Sequence, residues 1–252
     1  MNNIQLEQTL GHLLNVSAIK DYSPNGLQVE GKREVRRVVT GVTASQALID
    51  QAIKRGADAL LVHHGYFWKG EKEVLTGMKR QRLKALLSHD INLYAYHLPL
   101  DIHPQLGNNA QLARVLDIRM TGPLEPGNAL SVAVQGELDQ PLTGAELSAR
   151  ITERLGRAPL HVGEAGPALI GKVAWCTGGG QGYIELAAEQ GVDAFITGEV
   201  SEQTVHIARE LGVHFYAAGH HATERYGIQA LGQWLAKEQG LSVAFVDIDN
   251  PA

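Results

Sequence analysis

Two stretches of this chain echo one another, and that repetition limits the fold more than any other feature. The first reads VVTGVTASQALIDQAIKRGADALLVHHG from Val38 to Gly65, and the second reads VAWCTGGGQGYIELAAEQGVDAFITGEV from Val173 to Val200. Setting Gly56 on Gly191 gives an ungapped offset of 191 − 56 = 135 residues. Val38 then meets Val173, Gln46 meets Gln181, Ile49 meets Ile184, Ala52 meets Ala187, and Asp58-Ala59 falls on Asp193-Ala194. A match of this density implies a duplicated supersecondary unit.

Each copy reads as strand, glycine-containing turn, helix, short turn and strand. Arg37 to Thr40 and Lys172 to Cys176 are short apolar runs of the buried-strand type. Ala47, Leu48, Ala52 and Ile53 recur at helical spacing and close at Gly56; Ile184, Ala187 and Ala188 do the same and close at Gly191. Ala57 to Val62 and Val192 to Thr197 follow as second strands. A crossover of this kind demands a parallel sheet with helices on its faces. Further helices, Met78 to Leu87 and Glu202 to Leu211, lead to third strands, Ile91 to His97 and Val213 to His220. Outside the repeats, Gln5 to Leu14 reads as an amphipathic helix, and Pro24-Asn25-Gly26 is a turn before Leu27-Gln28-Val29. The intervening segment holds a strand and a helix opened by the capping-box pattern Thr143-Gly-Ala-Glu146. The expected organisation is a first α/β half over 1–125, a short strand-helix segment over 126–170 and a second α/β half over 171–252.

Composition narrows the function classes. With 252 residues, 44% of them hydrophobic, the chain can bury a full core. The net charge of −5 gives no basic surplus for bulk phosphate binding, which counts against nucleic acid as a partner. The single cysteine, Cys176, excludes an intramolecular disulfide and reads as a buried small residue. With no basic-then-apolar leader and no bilayer-length apolar run, the expected location is the cytoplasm, away from membranes.

The 11 histidines are the compositional oddity. His63 and His64 end the second strand of the first copy. His97 ends the third, with Asp101 four residues on, and His220 ends the corresponding strand of the second copy, with Glu224 four residues on. Parallel α/β sheets bind ligands at the carboxyl ends of their strands. Imidazole with carboxylate suits divalent iron, manganese, zinc, cobalt or nickel. Six such residues exceed one open tetrahedral site and match two ions sharing a bridging carboxylate, for which Glu224 is the candidate. A lone strand-end histidine, an HH dipeptide or an H-x-x-x-D spacing carries little by itself; use of the same element in both copies raises the signal. Pro99 makes HLPLD read as a loop. His97 is the weakest of the six and could instead support a ligand from behind. His103, His206, His214 and His221 are background.

Secondary candidates surround this set. The loop Thr177 to Gly182, with Gly178, Gly179 and Gly180, could offer backbone N–H groups to a phosphate, although a tight turn explains it equally simply. Glu199 takes the place of His64 in the second copy and is a candidate general acid or base, or a hydrogen-bonded remnant of the duplication. Tyr66, in the run Tyr66-Phe67-Trp68, could stack a base, or could serve as core or subunit contact.

NGLQVEG, ADALLVHHGYFWKG, YHLPLDIHPQLGNN, GVDAFITGE and AAGHHATER together resemble the Nif-three-like (GTP cyclohydrolase 1 type 2 homologue) family along the whole chain. The resemblance implies a dinuclear metal site made by His63, His64, Asp101, His220 and Glu224, with His97 as an extra ligand. It implies two pseudo-symmetric α/β halves with mainly parallel sheets, and a ring-shaped homohexamer with its metal sites facing inward. Many relatives carry an apolar residue and a proline where this chain has Gly65-Tyr66-Phe67-Trp68. The expected function is dinuclear metal-dependent hydrolysis of a nucleotide-like small molecule, with cyclohydrolysis, amidohydrolysis and phosphoester hydrolysis all compatible. The alternative is a non-catalytic metal-binding ring with a regulatory, protein-interaction or DNA-related role.

Overall fold

The computed structural model describes residues 1–252. In chain order it runs α1 (Asn3–Leu13), β1 (Gly26–Val29), β2 (Arg37–Thr43), α2 (Gln46–Lys54), β3 (Ala59–His64), α3 (Gly77–Ser88), β4 (Asn92–Ala95) and α4 (Leu98–Ile102). There follow α5 (Asn108–Val115), β5 (Ile118–Pro123), β6 (Val134–Leu142), α6 (Gly144–Leu155), β7 (Leu160–Val162) and β8 (Ile170–Cys176). The remainder is α7 (Ile184–Glu189), β9 (Ala194–Thr197), α8 (Glu202–Leu211), β10 (His214–Ala217), α9 (His220–Gln239) and β11 (Ser242–Phe245). No helix is long and apolar enough to cross a membrane.

The chain divides into two compact units, Met1–Leu106 with Gly227–Ile248, and Gly107–Tyr226 with Asp249–Ala252. This differs from the contiguous division read from the sequence. In the first unit, Ile228, Leu231 and Leu235 of α9 pack with Leu6, Leu10, Val38, Leu61 and Tyr94, and β11 extends the first sheet beside β2. The segment 126–170 is no separate body: β6 pairs with β8, and β7 pairs with β10.

The first unit's sheet has the order β1-β4-β3-β2-β11, parallel except for β1 at the edge. The second unit's sheet has the order β5-β6-β8-β9-β10-β7. Its centre, β8-β9-β10, is parallel, whereas β5, β6 and β7 join antiparallel. The repeat-derived centre of each sheet is thus parallel, as expected, and the antiparallel β5–β6 pair enters the second sheet as a meander outside the repeat.

The duplication is visible in the pairing register. Val38 faces Ala59 between β2 and β3, and Val173 faces Ala194 between β8 and β9, the same residues at the sequence offset. The shared aspartates explain why. Asp58 Oδ2 accepts from the backbone N–H groups of Arg36 and Arg37 at 3.0 and 2.9 Å, and Asp193 Oδ2 accepts from those of Gly171 and Lys172, both at 2.8 Å. Each carboxylate satisfies the otherwise unpaired start of the neighbouring strand. The Lys32 ammonium reaches Asp58 Oδ1 at 2.8 Å. Burial opposes ionisation of Asp58, but Lys32 and the two backbone donors outweigh it and hold the carboxyl below its ordinary range.

Local rules account for the helices. Ser45 caps α2 through Leu48 N, and Thr143 with Glu146 forms the expected capping box of α6. Leu48, Ile49 and Ala52 of α2 are fully buried in one core face, and Cys176 is buried in the second unit. HLPLD departs from expectation. It forms α4 rather than a loop, because Pro99 sits in the first turn, where its missing N–H costs no helical bond.

Candidate metal centre

The first unit brings His63, His64, His97 and Asp101 together. His63 and His64 close β3, His97 precedes α4 and Asp101 lies within α4. One ring nitrogen from each of His63, His64 and His97 can be chosen so that all lie within 4.8 Å of one another. His63 Nε2 is 3.5 Å from Asp101 Oδ1. His63, His97 and Asp101 are buried. Ligands opposed across one ion, at bonds of about 2.1 Å, stand up to about 4.2 Å apart, so this spacing fits cation binding after a small side-chain rotation.

The hydrogen bonds behind the rings decide which nitrogen faces forward. His63 Nδ1 donates to the Tyr96 carbonyl at 2.9 Å, and His97 Nδ1 donates to Asp21 Oδ1 at 2.9 Å. A proton on Nδ1 leaves the lone pair on Nε2, the orientation that ligating histidines take from such partners. The other oxygen of Asp21 accepts from Leu98 N at 2.9 Å and from Asn25 Nδ2 at 3.0 Å. Burial raises the Asp21 pKa, but the hydrogen bonds from His97 and Asn25 outweigh it and bring the carboxyl down to about 2. His64 Nδ1 is 3.3 Å from the Thr43 hydroxyl.

The second unit brings His220, Glu224 and Glu199 together. His220 opens α9 and Glu224 lies one turn on, with 3.1 Å between His220 Nε2 and Glu224 Oε2. His220 Nδ1 donates to Glu199 Oε1 at 2.7 Å. Burial lowers the His220 pKa, but Glu224 first and then Glu199 outweigh it and carry it up to about 9. Glu224 is buried, and Glu199 keeps 46% of its side chain exposed.

The glycine loop serves this group. Gly178 has φ +66, and a Cβ there would stand 2.0 Å from Glu224 Oε1 and 2.9 Å from His220 Nε2. Its N–H donates to the Thr223 hydroxyl, and that of Gly180 to the Thr197 hydroxyl, both at 3.0 Å. Those two amides are committed within the protein rather than presented to a phosphate. The nearest atoms to a Cβ at Gly179 belong to Glu199, while Gly180 packs on Cys176.

Tyr66 is a core residue in this structure: its ring is buried and its hydroxyl donates to the Ala44 carbonyl at 2.7 Å. Among the background histidines, His214 is buried in a separate pair, with His161 Nε2 3.0 Å from its Nδ1. Sequence reasoning missed Asp21. It lies 76 residues from His97 and carries no local signal beyond the turn that follows it.

Nor do the two halves supply equivalent histidines. The Tyr96 N–H bonds Val62 O as the Ala218 N–H bonds Thr197 O, so His97 corresponds to Gly219, and His220 corresponds to Leu98. The recurrence of a strand-end histidine is displaced by one residue, because the connections between second and third strands differ in length.

The profile of the family described as Duf34/NIF3 (NGG1p interacting factor 3) matches residues 1–251. The chain belongs to the DUF34/NIF3 family. A relative in this family from Yersinia pestis is 63% identical and one from Haemophilus influenzae 64% identical, each over 100% of both chains, and both carry the name GTP cyclohydrolase 1 type 2 homolog. A solved structure described as protein ybgI, of unknown function, superposes with a TM-score of 0.97 at 62% identity, covering 100% of both chains. TTHA1606 of Thermus thermophilus superposes with a TM-score of 0.89 at 35% identity over the same full coverage. The DUF34/NIF3 fold, with two sheets flanked by helices, is thus established for this chain.

Proposed function

We propose that this chain is a metal-dependent hydrolase. His63, His64, His97 and Asp101 of the first unit and His220 and Glu224 of the second are the residues that would hold two divalent ions, with Glu224 the candidate shared carboxylate. The observation that carries the reading is the histidine group of the first unit: three ring nitrogens within 4.8 Å, two of the rings fixed through Nδ1 from behind. The second group repeats that arrangement through Glu199 and His220.

Divalent iron, manganese, zinc, cobalt or nickel would supply Lewis acidity and bring the pKa of a water toward neutrality. The residues of the chain supply position and charge. Tyr96, Asp21 and Glu199 fix three imidazoles, so little side-chain entropy remains to be lost on binding. Asp101 and Glu224 contribute buried negative charge that a cation neutralises. Glu199 acts first by orienting His220; its exposed carboxylate also suits proton transfer to a leaving group. A nucleotide-like small molecule is the proposed substrate, a ring-shaped hexamer the proposed assembly, following the family resemblance, and the cytoplasm the proposed location.

The test is a hydrolase screen of metal-loaded protein against nucleotides, cyclic amidines, amides and phosphoesters, with Asp101→Asn alongside. Turnover by the wild type that falls with the variant supports the reading. Full metal loading with no turnover across the panel favours a non-catalytic metal-binding assembly.

A further inference from the structure

Two aromatic side chains flank the histidine group of the first unit. The Trp68 ring lies 5.0 Å from that of His97, edge-on at 81°, and 5.6 Å from that of His64. Tyr22 meets the same His97 ring at 5.0 Å and 71°, and the Tyr22 and Trp68 rings are 5.9 Å apart. Tyr22 is 55% exposed and Trp68 is half-buried.

Their neighbours are otherwise engaged. Tyr66 is buried in the core, and Phe67 lies under the Lys79 ammonium, 4.9 Å from the ring centre. Trp68 is the aromatic of this run that stands beside the histidines. Its position is fixed by the chain around it: its indole N–H donates to the Gly65 carbonyl at 3.1 Å, and the Lys69 N–H donates to the Tyr22 carbonyl at 3.1 Å. The Gln28 amide bonds both the N–H and the carbonyl of Tyr66, anchoring the start of the loop. Large aromatic rings held rigid and left partly wet gain free energy when a planar partner covers them. A molecule whose reacting atom lies at His64 or His97 comes within ring-contact distance of these two side chains when its body extends toward them.

We infer that Tyr22 and Trp68 form a stacking subsite for a planar heteroaromatic ring, placing the bonds to be broken next to His64 and His97. The inference rests on the proposed metal-centred reaction for its purpose, while the stacking itself is measured without turnover.

The experiment titrates metal-loaded full-length protein with guanosine 5′-monophosphate and flavin mononucleotide, and with ribose 5-phosphate as the control lacking a ring. Binding is read by equilibrium dialysis and by quenching of tryptophan fluorescence, with metal content and oligomeric state recorded in parallel. Trp175 is fully buried and Trp234 packs partly buried against the first unit's core, so the Trp68→Leu protein measures the background of these two against which ligand-dependent quenching is read. At least one aromatic probe should bind more tightly than ribose 5-phosphate. Trp68→Leu and Tyr22→Leu should each weaken it about tenfold or more, equivalent to about 1.4 kcal/mol, with metal content unchanged. Equal binding by wild type and variants, or no binding of either aromatic probe, overturns the subsite. Loss of metal in the variants assigns the rings to supporting the histidines, and a change of oligomeric state assigns them to a subunit contact; both overturn it too. Ring-dependent binding by a wild type that takes up no metal would leave the subsite standing and remove the hydrolase reading.

Discussion

Glu199 Oε1 lies 2.7 Å from Nδ1 of His220, at the position where the first repeat carries His64. The duplication thus placed a histidine at one strand end and, at its counterpart, a carboxylate that orients another histidine. Removing such a partner lowers metal affinity by about 10–100-fold in comparable sites. Glu199→Ala should do so here, and Glu199→Gln, which keeps an acceptor, should lose less. Titration with a competing chelator measures both.

Asp21 plays the matching part for His97, and its second oxygen also holds the N–H of Leu98 at the start of α4. Asp21→Ala should therefore weaken metal binding and also destabilise the fold, by about 1–3 kcal/mol, because a buried donor loses its partner. Urea denaturation of the metal-free protein isolates the second effect.

Gly178 is a steric requirement. A methyl group there meets Glu224 Oε1 at 2.0 Å, on a backbone at φ +66. Gly178→Ala should cost about 1–2 kcal/mol for the left-handed conformation alone, with displacement of Glu224 in addition. The expected result is a lower Tm and reduced metal content together.

Asp58 contributes pH dependence to the stability of the first sheet. Its folded pKa lies below the ordinary carboxylate value of 3.8, so its stabilisation is present above that value and disappears as pH falls through the folded pKa. Asp58→Asn should lower stability at neutral pH and flatten the decline toward acid. Urea midpoints between pH 7 and pH 3 for both proteins give the comparison.

These residues also mark how far the sequence could be read. The repeat was legible because its matched positions do physical work: Asp58 and Asp193 each tie down the neighbouring strand, and Gly56 and Gly191 leave their helices at φ +60 and +70. His63, His64, His97 and His220 stood out as candidates because histidines at the ends of expected strands are conspicuous, and Asp101 and Glu224 because each follows such a histidine by four residues. Asp21 could not be, since its partnership with His97 spans 76 residues and depends on β1 pairing with β4. The one-residue displacement between His97 and His220 was hidden because the fixed offset fails where the connections differ in length. Tyr66, Phe67 and Trp68 look alike in sequence; the hydrogen bond to Ala44 and the cation over Phe67 separate them only in three dimensions. The placement of α9 from Gly227 onward, and of β11, with the first unit was likewise a matter of packing, not of pattern.

The most direct test of the account is metal stoichiometry in purified protein, for the wild type, His63→Ala and His220→Ala, after saturation with manganese or zinc and removal of free ion. If the two residue groups serve one dinuclear centre, the wild type holds two equivalents per chain and each variant loses one or both. Should His220→Ala keep the full wild-type content while His63→Ala loses it, the second group takes no part in holding the ions and the shared centre is wrong.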